Sequence, residues 1–146
     1  MKIPKEDIFN IIVGRTSIMV SRVLLRNFRK HRLDITMEQW SILAILWQKD
    51  GCTQQELGNK TYREKAGVTR LLDKLEQQNI INRVTDAHDR RVRFIYLTER
   101  GRALEEKANQ IVVETYQQAI RDISEEDRTV CKNVLNKIYD NLREIP

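Results

Sequence analysis

DAHDRRVRFIYLTERG, residues 86–101, passes within one short stretch from a dense cluster of charges to an alternating apolar segment. Its apolar part, 92–97, is rich in β-branched and aromatic residues, and so is IINRVT at 80–85. Two such runs joined by a polar turn predict a β-hairpin. Because side chains alternate across a strand, one face of the second strand carries Arg91, Arg93, Ile95 and Leu97. The arginines of this row lie toward the hairpin tip, and the leucine lies toward the body of the protein.

Two capping boxes precede the hairpin, and each predicts the start of a helix. TQQE at 53–56 opens a short helix that ends near Lys60, and TYRE at 61–64 opens a helix that runs to about Gln78. Two short helices joined by a tight turn form a helix-turn-helix. The apolar stripe of the second helix points inward, so its opposite face presents small, hydroxyl and basic side chains; the stripe comprises Val68, Leu71, Leu72 and Leu75.

The segment before the helix-turn-helix predicts two more helices. Apolar residues at three- and four-residue spacing predict one continuous helix over 5–32. Thr36 can cap a second helix, which carries Trp40 and Trp47 and is stopped by Gly51. The apolar positions of the first helix include Ile8, Ile11, Ile12, Ile18, Met19, Val23 and Phe28.

Two helices follow the hairpin. Thr98 can cap a long helix to about Asp122, and Ser124 can cap a last one. The inward faces are predicted to carry Leu104, Ala108, Ile111, Val112, Tyr116, Ala119 and Ile120 in the first, and Val130, Val134, Ile138 and Leu142 in the second. The fold class predicted is therefore mainly α with a small two-stranded β wing, a winged helix-turn-helix.

Charge is concentrated in the middle of the chain. The 146 residues carry a net charge of +5, and residues 60–102, with eleven basic and six acidic side chains, account for all of it. A basic middle between balanced ends is typical of a module that binds a polyanion, although a solvated charged surface would leave the same pattern. No apolar run is long enough to span a membrane, and the N-terminus lacks a signal-peptide layout, so we expect a cytoplasmic protein without membrane contact.

The residues that could carry other chemistry are few. The two cysteines, Cys52 and Cys131, follow no metal-binding spacing, and with His31 and His88 they do not form a zinc cluster. We expect them to be unpaired thiols, and a redox-sensing thiol is the alternative. The sequence contains no phosphate loop, nucleophile elbow or glycine-rich nucleotide motif, so we predict neither an enzyme, nor a cofactor, nor a metal site.

A winged helix with this charge is typical of DNA binding. A helix fits the major groove, where base edges present distinct patterns, and an arginine at a hairpin tip can enter the electronegative minor groove. Asp89 can hold Arg91 in place by a charge-assisted pair, although a simple turn salt bridge is the alternative. Gly67 in the second helix would serve either close packing or close approach to DNA. The predicted DNA-binding residues are Arg63, Lys65, Thr69, Arg70, Lys74, Arg90, Arg91 and Arg93.

The segments GVTRLLDKLEQQNIINRV (67–84) and DAHDRRVRFIYLTERG (86–101) resemble the MarR (multiple antibiotic resistance regulator) family of winged helix-turn-helix transcription factors. The wing pattern of that family is Asp-x-Arg followed by an apolar strand, Leu-Thr and a nearby Gly. Asn79 departs from the family's usual Gly, but asparagine tolerates the same left-handed backbone. The matching residues of the wing pattern are Asp89, Arg91, Leu97, Thr98 and Gly101.

The resemblance implies a homodimer that binds double-stranded DNA at a pseudo-palindromic operator with half-sites about 10 bp apart. Residues 1–35 and 99–146 would form dimerisation helices, and 36–98 the DNA-binding region, within a single compact domain. The family implies a repressor released by a small phenolic or anionic ligand. Peroxide-sensing relatives carry a cysteine near the N-terminal helix, which this chain lacks. Candidate ligand-binding residues are Arg15, His31, Trp40 and Trp47, with a core role for both tryptophans as the alternative.

The alternative function is a winged helix used for protein contacts, since this fold has several roles. Apolar residues on the outer face of the second helix would favour that reading. The outer face instead carries Lys65, Thr69 and Arg70, and the hairpin tip carries Arg91, which favours DNA. The sequence does not identify the operator, the regulated genes or the ligand.

Overall fold

The computed structural model describes residues 3–7, 10 and 14–146 and is mainly helical, with one small antiparallel sheet, as the sequence predicted. None of the helices in these ranges is long and apolar enough to cross a membrane. In chain order the elements are α1 (Lys5–Asp7), α2 (Arg15–Lys30), α3 (Met37–Gln48), β1 (Cys52–Thr53), α4 (Gln54–Thr61), α5 (Lys65–Gln77), β2 (Ile81–Thr85), β3 (Arg93–Leu97), α6 (Glu99–Ala103), α7 (Glu105–Ala119) and α8 (Glu125–Arg143).

The chain forms two compact units, Met1–Thr115 and Tyr116–Pro146. The first contains the helix-turn-helix and the sheet together with α2, α3, α6 and most of α7, and the second contains α8. The boundary therefore falls within α7, whereas the sequence placed the limits of the DNA-binding region at residues 36 and 98.

The N-terminal helix differs from the prediction of one continuous helix over 5–32. Gly14 has a left-handed backbone with φ of 68°, and α2 begins directly after it. Leu24 and Phe28 are buried, whereas Ile18 and Met19 are more than half exposed. Of the other predicted apolar positions, Ile8, Ile11 and Ile12 lie outside the described residues.

Of the three caps predicted for α3, α4 and α5, two are formed and one is not. Thr36 caps α3 and Thr53 caps α4, each in a reciprocal capping box. The box predicted at 61–64 is wrong, because the Thr61 hydroxyl donates to the Leu57 carbonyl (2.7 Å) and so closes α4 instead of opening α5. Tyr62 then turns the chain with a left-handed φ of 56°, and α5 begins at Lys65 without a side-chain cap.

The hairpin forms the predicted wing, and a third strand joins it. β2 pairs with β3 in antiparallel register, Arg83 opposite Ile95, and the short β1 pairs with the other edge of β3 through Cys52 opposite Ile95. Ile95 and Leu97 are buried and Arg93 is exposed, so the strand directs its apolar end to the core and its basic end outward.

The helix predicted from Thr98 to Asp122 is interrupted. Thr98 caps α6, whose last residue is Ala103, and a turn at Leu104 separates it from α7, which ends at Ala119. In α7, Ala108 and Ile111 are buried as predicted, but Tyr116 is 54% exposed, contrary to the prediction. Ser124 caps α8 through the backbone N–H of Asp127 (3.0 Å), as predicted.

The hydrophobic core lies between the helix-turn-helix, the sheet and the helices α2, α3 and α7. Its residues, all less than a tenth exposed, come from every one of these elements, and Trp40 and Trp47 pack against it partly buried. Burial of this set holds the helix-turn-helix and the wing in one rigid body, because close-packed interiors resist relative movement. Fully buried members include Phe28, Ile42, Leu43, Leu57, Leu72, Leu75, Ile81 and Ile95.

Candidate nucleic-acid interface

A groove of about 840 Å³ separates the helix-turn-helix from the wing. Among the described residues, no acidic side chain lines it. Six of the eight residues predicted to bind DNA do: Arg63, Lys65, Thr69, Arg90, Arg91 and Arg93. The remaining two, Arg70 and Lys74, are exposed on α5 but do not line the groove. Basic walls of this kind focus a positive potential, which attracts a polyanion.

The groove also contains polar residues that the sequence reasoning missed. Gln54, Gln55 and Asn59 come from α4 and line the groove. The capping box at Thr53 placed the glutamines in the first turn of α4, and that position was the available signal for their exposure. The side chain of Gln54 crosses to α5, where its Nε2 donates to the Thr69 hydroxyl (2.7 Å).

The turn between α4 and α5 is tightly built. The backbone N–H of Arg63 donates to the Gly58 carbonyl (3.0 Å), and a Cβ at Gly58 would lie 3.2 Å from the Arg63 carbonyl oxygen. Glycine at position 58 therefore lets the turn close. Glu64 precedes α5 but its side chain does not cap the helix, and the first N–H groups of α5 carry the positive end of the helix dipole.

Arg63 occupies an unusual position in this turn. Its Nε is fully buried and has no hydrogen-bond partner among the described residues. A buried donor without a partner costs free energy, so the folded chain maintains an unfavourable arrangement at the groove.

The tip of the wing is organised by two aspartates. Asp86 Oδ1 accepts from the His88 N–H (2.9 Å), and Asp89 Oδ1 accepts from both the backbone N–H (3.0 Å) and the Nε (3.3 Å) of Arg91. The Arg91 side chain is 92% exposed, so this ion pair contributes little to stability. Its effect is geometric, because Asp89 fixes both the backbone and the side chain of the arginine that projects from the tip.

Arg83 belongs to the basic stretch but does not face the groove. Its guanidinium bonds both Glu76 oxygens (3.0 and 3.2 Å) and lies 2.6 Å from Asp73, and its side chain is only 13% exposed. The hydrogen bond from Arg83 holds the pKa of Glu76 below its usual value, and the same bond raises the pKa of Arg83. This cluster ties the wing strand β2 to α5.

The base of the wing is held by Asp50. Its Oδ1 accepts from the backbone N–H of Leu97 (2.8 Å), and its Oδ2 accepts from Arg102 of α6 (3.0 Å). Trp47 adds a second connection to α6 through its indole N–H, which donates to the Gly101 carbonyl (3.0 Å). Together these bonds attach α6 to the sheet and to α3.

The four candidate ligand-binding residues are not brought together within one chain. Arg15 and His31 lie at opposite ends of α2, about 24 Å apart at 1.5 Å per residue. Trp40 and Trp47 share one face of α3, and their indole N–H groups are already bonded to Asn109 and to Gly101. A shallower cavity of about 410 Å³ beside Asn109 is lined by none of the four.

The cysteines and other metal-ligating side chains offer little chemistry. Cys52 is buried, and its thiol donates to the Lys49 carbonyl (3.1 Å); burial raises its pKa, which opposes formation of the reactive thiolate. Cys131 is exposed on α8 and unpaired. Over residues 3–7, 10 and 14–146, no group of three or more His, Cys, Asp or Glu side chains is arranged to hold a metal ion.

Comparisons with known proteins identify relatives of the helix-turn-helix and wing region and of the fold as a whole. The family model for the MarR family matches residues 35–92, which extend from the start of α3 to the wing. The chain is 26% identical over 134 residues to the HTH-type transcriptional regulator MhqR of Bacillus subtilis, which covers 92% of this chain and 91% of that protein.

Two solved structures share the fold. MepR of S. aureus, in a complex with DNA, superposes with a TM-score of 0.79 at 30% identity, covering 96% of this chain and 99% of MepR. BpsR of Bordetella bronchiseptica superposes with a TM-score of 0.71 at 22% identity, covering 87% of this chain and 98% of BpsR.

Proposed function

Because the chain belongs to the MarR family of DNA-binding transcription regulators, we propose that it acts as a homodimeric repressor that binds a pseudo-palindromic operator in the cytoplasm. The relatives are transcriptional regulators and not enzymes, so we assign no enzymatic activity to the chain. The alternative of a winged helix used only for protein contacts is not favoured. The single observation that carries the proposal is the groove, which six of the predicted DNA-binding residues line from the α4–α5 turn, from α5 and from the wing.

The residues of the groove and of α5 are proposed to contact different parts of the DNA. The N-terminal half of α5 enters the major groove, where base edges are distinguishable, and Lys65, Thr69 and Arg70 face them. Arg91 reaches from the wing tip into the adjacent minor groove, held in position by Asp89. Arg63, Lys74, Arg90 and Arg93 contact phosphates, which supply affinity and orientation but no sequence information.

Exposed apolar side chains support the homodimer. On α2, Ile18 and Met19 are 51% and 55% exposed. Helix α8 buries no residue, although it carries an apolar row that is 52–62% exposed: Val130, Val134, Leu135 and Leu142. A helix of this kind gains its stability from a covering surface, and a second copy of the chain provides one.

Release from DNA by a small phenolic or anionic ligand completes the proposal. BpsR is described as regulated in its DNA binding by 6-hydroxynicotinic acid, and this chain shares its fold. We place the ligand near Trp40 and Trp47, with Arg15 or His31, but not both from the same chain, as the charged partner. Titration with salicylate should quench tryptophan fluorescence and release bound DNA at the same concentrations; quenching without release would contradict this step.

The proposed function is tested by selecting duplexes from a random pool and by sedimentation of the complex. We expect selection of one sequence with two related half-sites about 10 bp apart, bound by two chains per duplex. A single unrepeated half-site, or one chain per duplex, would contradict the dimeric regulator. Recovery of the unselected pool, with no preferred sequence, would contradict sequence-specific binding altogether.

A further inference from the structure

We propose that Thr69 reads its base through its methyl group and selects thymine. The inference rests on the proposed function and deepens it by naming the base edge that one residue of α5 recognises. Its basis is the hydrogen bonding of the hydroxyl of Thr69, one of the residues that the sequence predicted to bind DNA.

The hydroxyl proton of Thr69 is already committed. Oγ1 donates to the carbonyl oxygen of Lys65, one helical turn earlier (2.9 Å), and accepts from Gln54 Nε2 (2.7 Å). A hydroxyl carries only one proton, so Thr69 does not donate to a base while these bonds hold. If the Gln54 amide were turned over, its oxygen would compete for that same proton, and the proton would still remain within the protein.

The two hydrogen bonds also fix the side-chain rotamer. A threonine in a helix has two accessible χ1 rotamers, and the bond to the preceding turn selects one of them. Oγ1 is directed to the α5 backbone and to α4, which leaves the Cγ2 methyl as the unbonded group of a half-buried side chain on the groove wall. Gln54 is therefore the positioning residue that holds Thr69 in this orientation.

The neighbours of Thr69 allow a base edge to approach. Gly67 has no side chain, and a Cβ there would meet nothing within 4 Å, so packing among the described residues does not require a glycine at this position. Ala66 adds only one exposed carbon. In the major groove, thymine alone presents a methyl group, and the methyl of threonine is one of its apolar partners.

The test replaces thymine by deoxyuridine, which removes only the C5 methyl. In the operator selected by wild-type protein, one thymine per half-site should be sensitive, and its replacement should weaken binding about fourfold, the value of one buried methyl group. Replacement in both half-sites of a dimer should weaken binding about fifteenfold.

Two variants separate the methyl from the hydroxyl. Thr69→Val keeps the methyl and should keep the preference for thymine over deoxyuridine. Thr69→Ser keeps the hydroxyl and should bind both operators equally. Unchanged affinity for a scrambled duplex and an unchanged melting temperature serve as the controls for correct folding of both variants.

The outcomes distinguish this inference from the function on which it rests. Loss of discrimination in Thr69→Ser alone supports the inference. Three results would contradict recognition through the methyl group. The preference for thymine over deoxyuridine could survive in Thr69→Ser, disappear in Thr69→Val, or be absent from the wild type on a selected operator. Each of these results is compatible with the proposed regulator function. Failure of the wild type to select any sequence overturns the regulator and this inference together.

Discussion

Replacement of Gly101 by alanine is expected to destabilise the protein strongly, although glycine to alanine within a helix is ordinarily stabilising. Gly101 lies in α6 at the point where that helix crosses the β2 end of the sheet. A Cβ there would clash with the carbonyl oxygen of Ile80 and come within 3.2 Å of both the Ile80 carbonyl carbon and Leu97 Cδ2. The obstacle includes backbone, so rotation of a side chain does not relieve it.

The loss in free energy of unfolding follows from the shift of α6 that the added Cβ requires. Overpacking of this kind costs about 1–3 kcal/mol. A shift of α6 also weakens the bond from Trp47 to the Gly101 carbonyl (3.0 Å) and the bond from the Thr98 N–H to Ile80 (3.0 Å), each worth about 1 kcal/mol. The total of about 3–5 kcal/mol corresponds to a fall in melting temperature of about 10–15 °C for a chain of this size.

Gly67→Ala is the matched control, because it makes the same chemical change in a helix where the added Cβ meets nothing within 4 Å. It should raise the free energy of unfolding by about 0.5–1 kcal/mol. Thermal and urea unfolding followed by circular dichroism measure both variants. A Gly101→Ala variant that melts within about 2 °C of the wild type would refute the close approach of α6 to Ile80.

Three further predictions concern the groove and the dimer. Arg83→Met should lower the free energy of unfolding by about 1–2 kcal/mol at neutral pH, less than for a fully buried pair because Asp73 and Glu76 are 48% and 42% exposed. The pKa of Glu76 is lowered by its bond to Arg83, so the part of the difference that depends on Glu76 is present above pH 4.5 and is lost as the pH falls through the lowered value. Wild-type and variant profiles that stay parallel in acid urea titrations would contradict this. Arg63→Met removes a buried donor that has no hydrogen-bond partner among the described residues. The variant should therefore melt at the wild-type temperature or higher, while its affinity for DNA falls. A lower melting temperature with unchanged DNA affinity would show that Arg63 has a structural role instead. Val134→Glu should convert the proposed homodimer to a monomer in analytical ultracentrifugation, whereas Lys132→Glu on the same helix should remain dimeric. Two dimeric variants would place the interface elsewhere.

Local signals in the sequence were sufficient for much of the fold. Capping boxes at Thr36 and Thr53 and the cap at Ser124 depend on residues three apart, and all three form. The Asp89–Arg91 pair spans two residues and forms as well. The wing strands were predictable because their β-branched and aromatic residues flank a polar turn.

Other features depend on contacts that sequence spacing does not encode. Thr61 could cap α5 or bond back to Leu57, and the competition between those partners is resolved only when α4 and α5 pack. β1 has two residues and lacks any strand pattern, so it is recognisable only from its pairing with β3. A continuous helix from Thr98 was predicted because the break at Leu104 carries neither Gly nor Pro.

The candidate site was also predictable from the sequence only in part. Its basic residues were predictable from the helix face and from the hairpin tip, because both follow from local periodicity. The crossing bond from Gln54 to Thr69 and the pairing of Arg83 with α5 join residues from different elements, so they became visible only in the folded chain. The first bond occupies the Thr69 hydroxyl within the protein, and the second gives one arginine of the basic stretch a structural role.

The central claim, that DNA binds in the groove between α5 and the wing, is tested most directly by the salt dependence of affinity for wild-type protein and two arginine variants. Arg121 is the control for Arg91, because it is also highly exposed and pairs with a neighbouring aspartate, Asp122, but does not line the groove. Fluorescence anisotropy with DNA from upstream of the protein's own gene, at several salt concentrations, gives the slope of log affinity against log salt. We predict that Arg91→Ala weakens binding and reduces that slope by about 1 for each chain bound, while Arg121→Ala changes neither. Equal losses in the two variants would show that only total charge matters, and would contradict the groove as the DNA-binding surface.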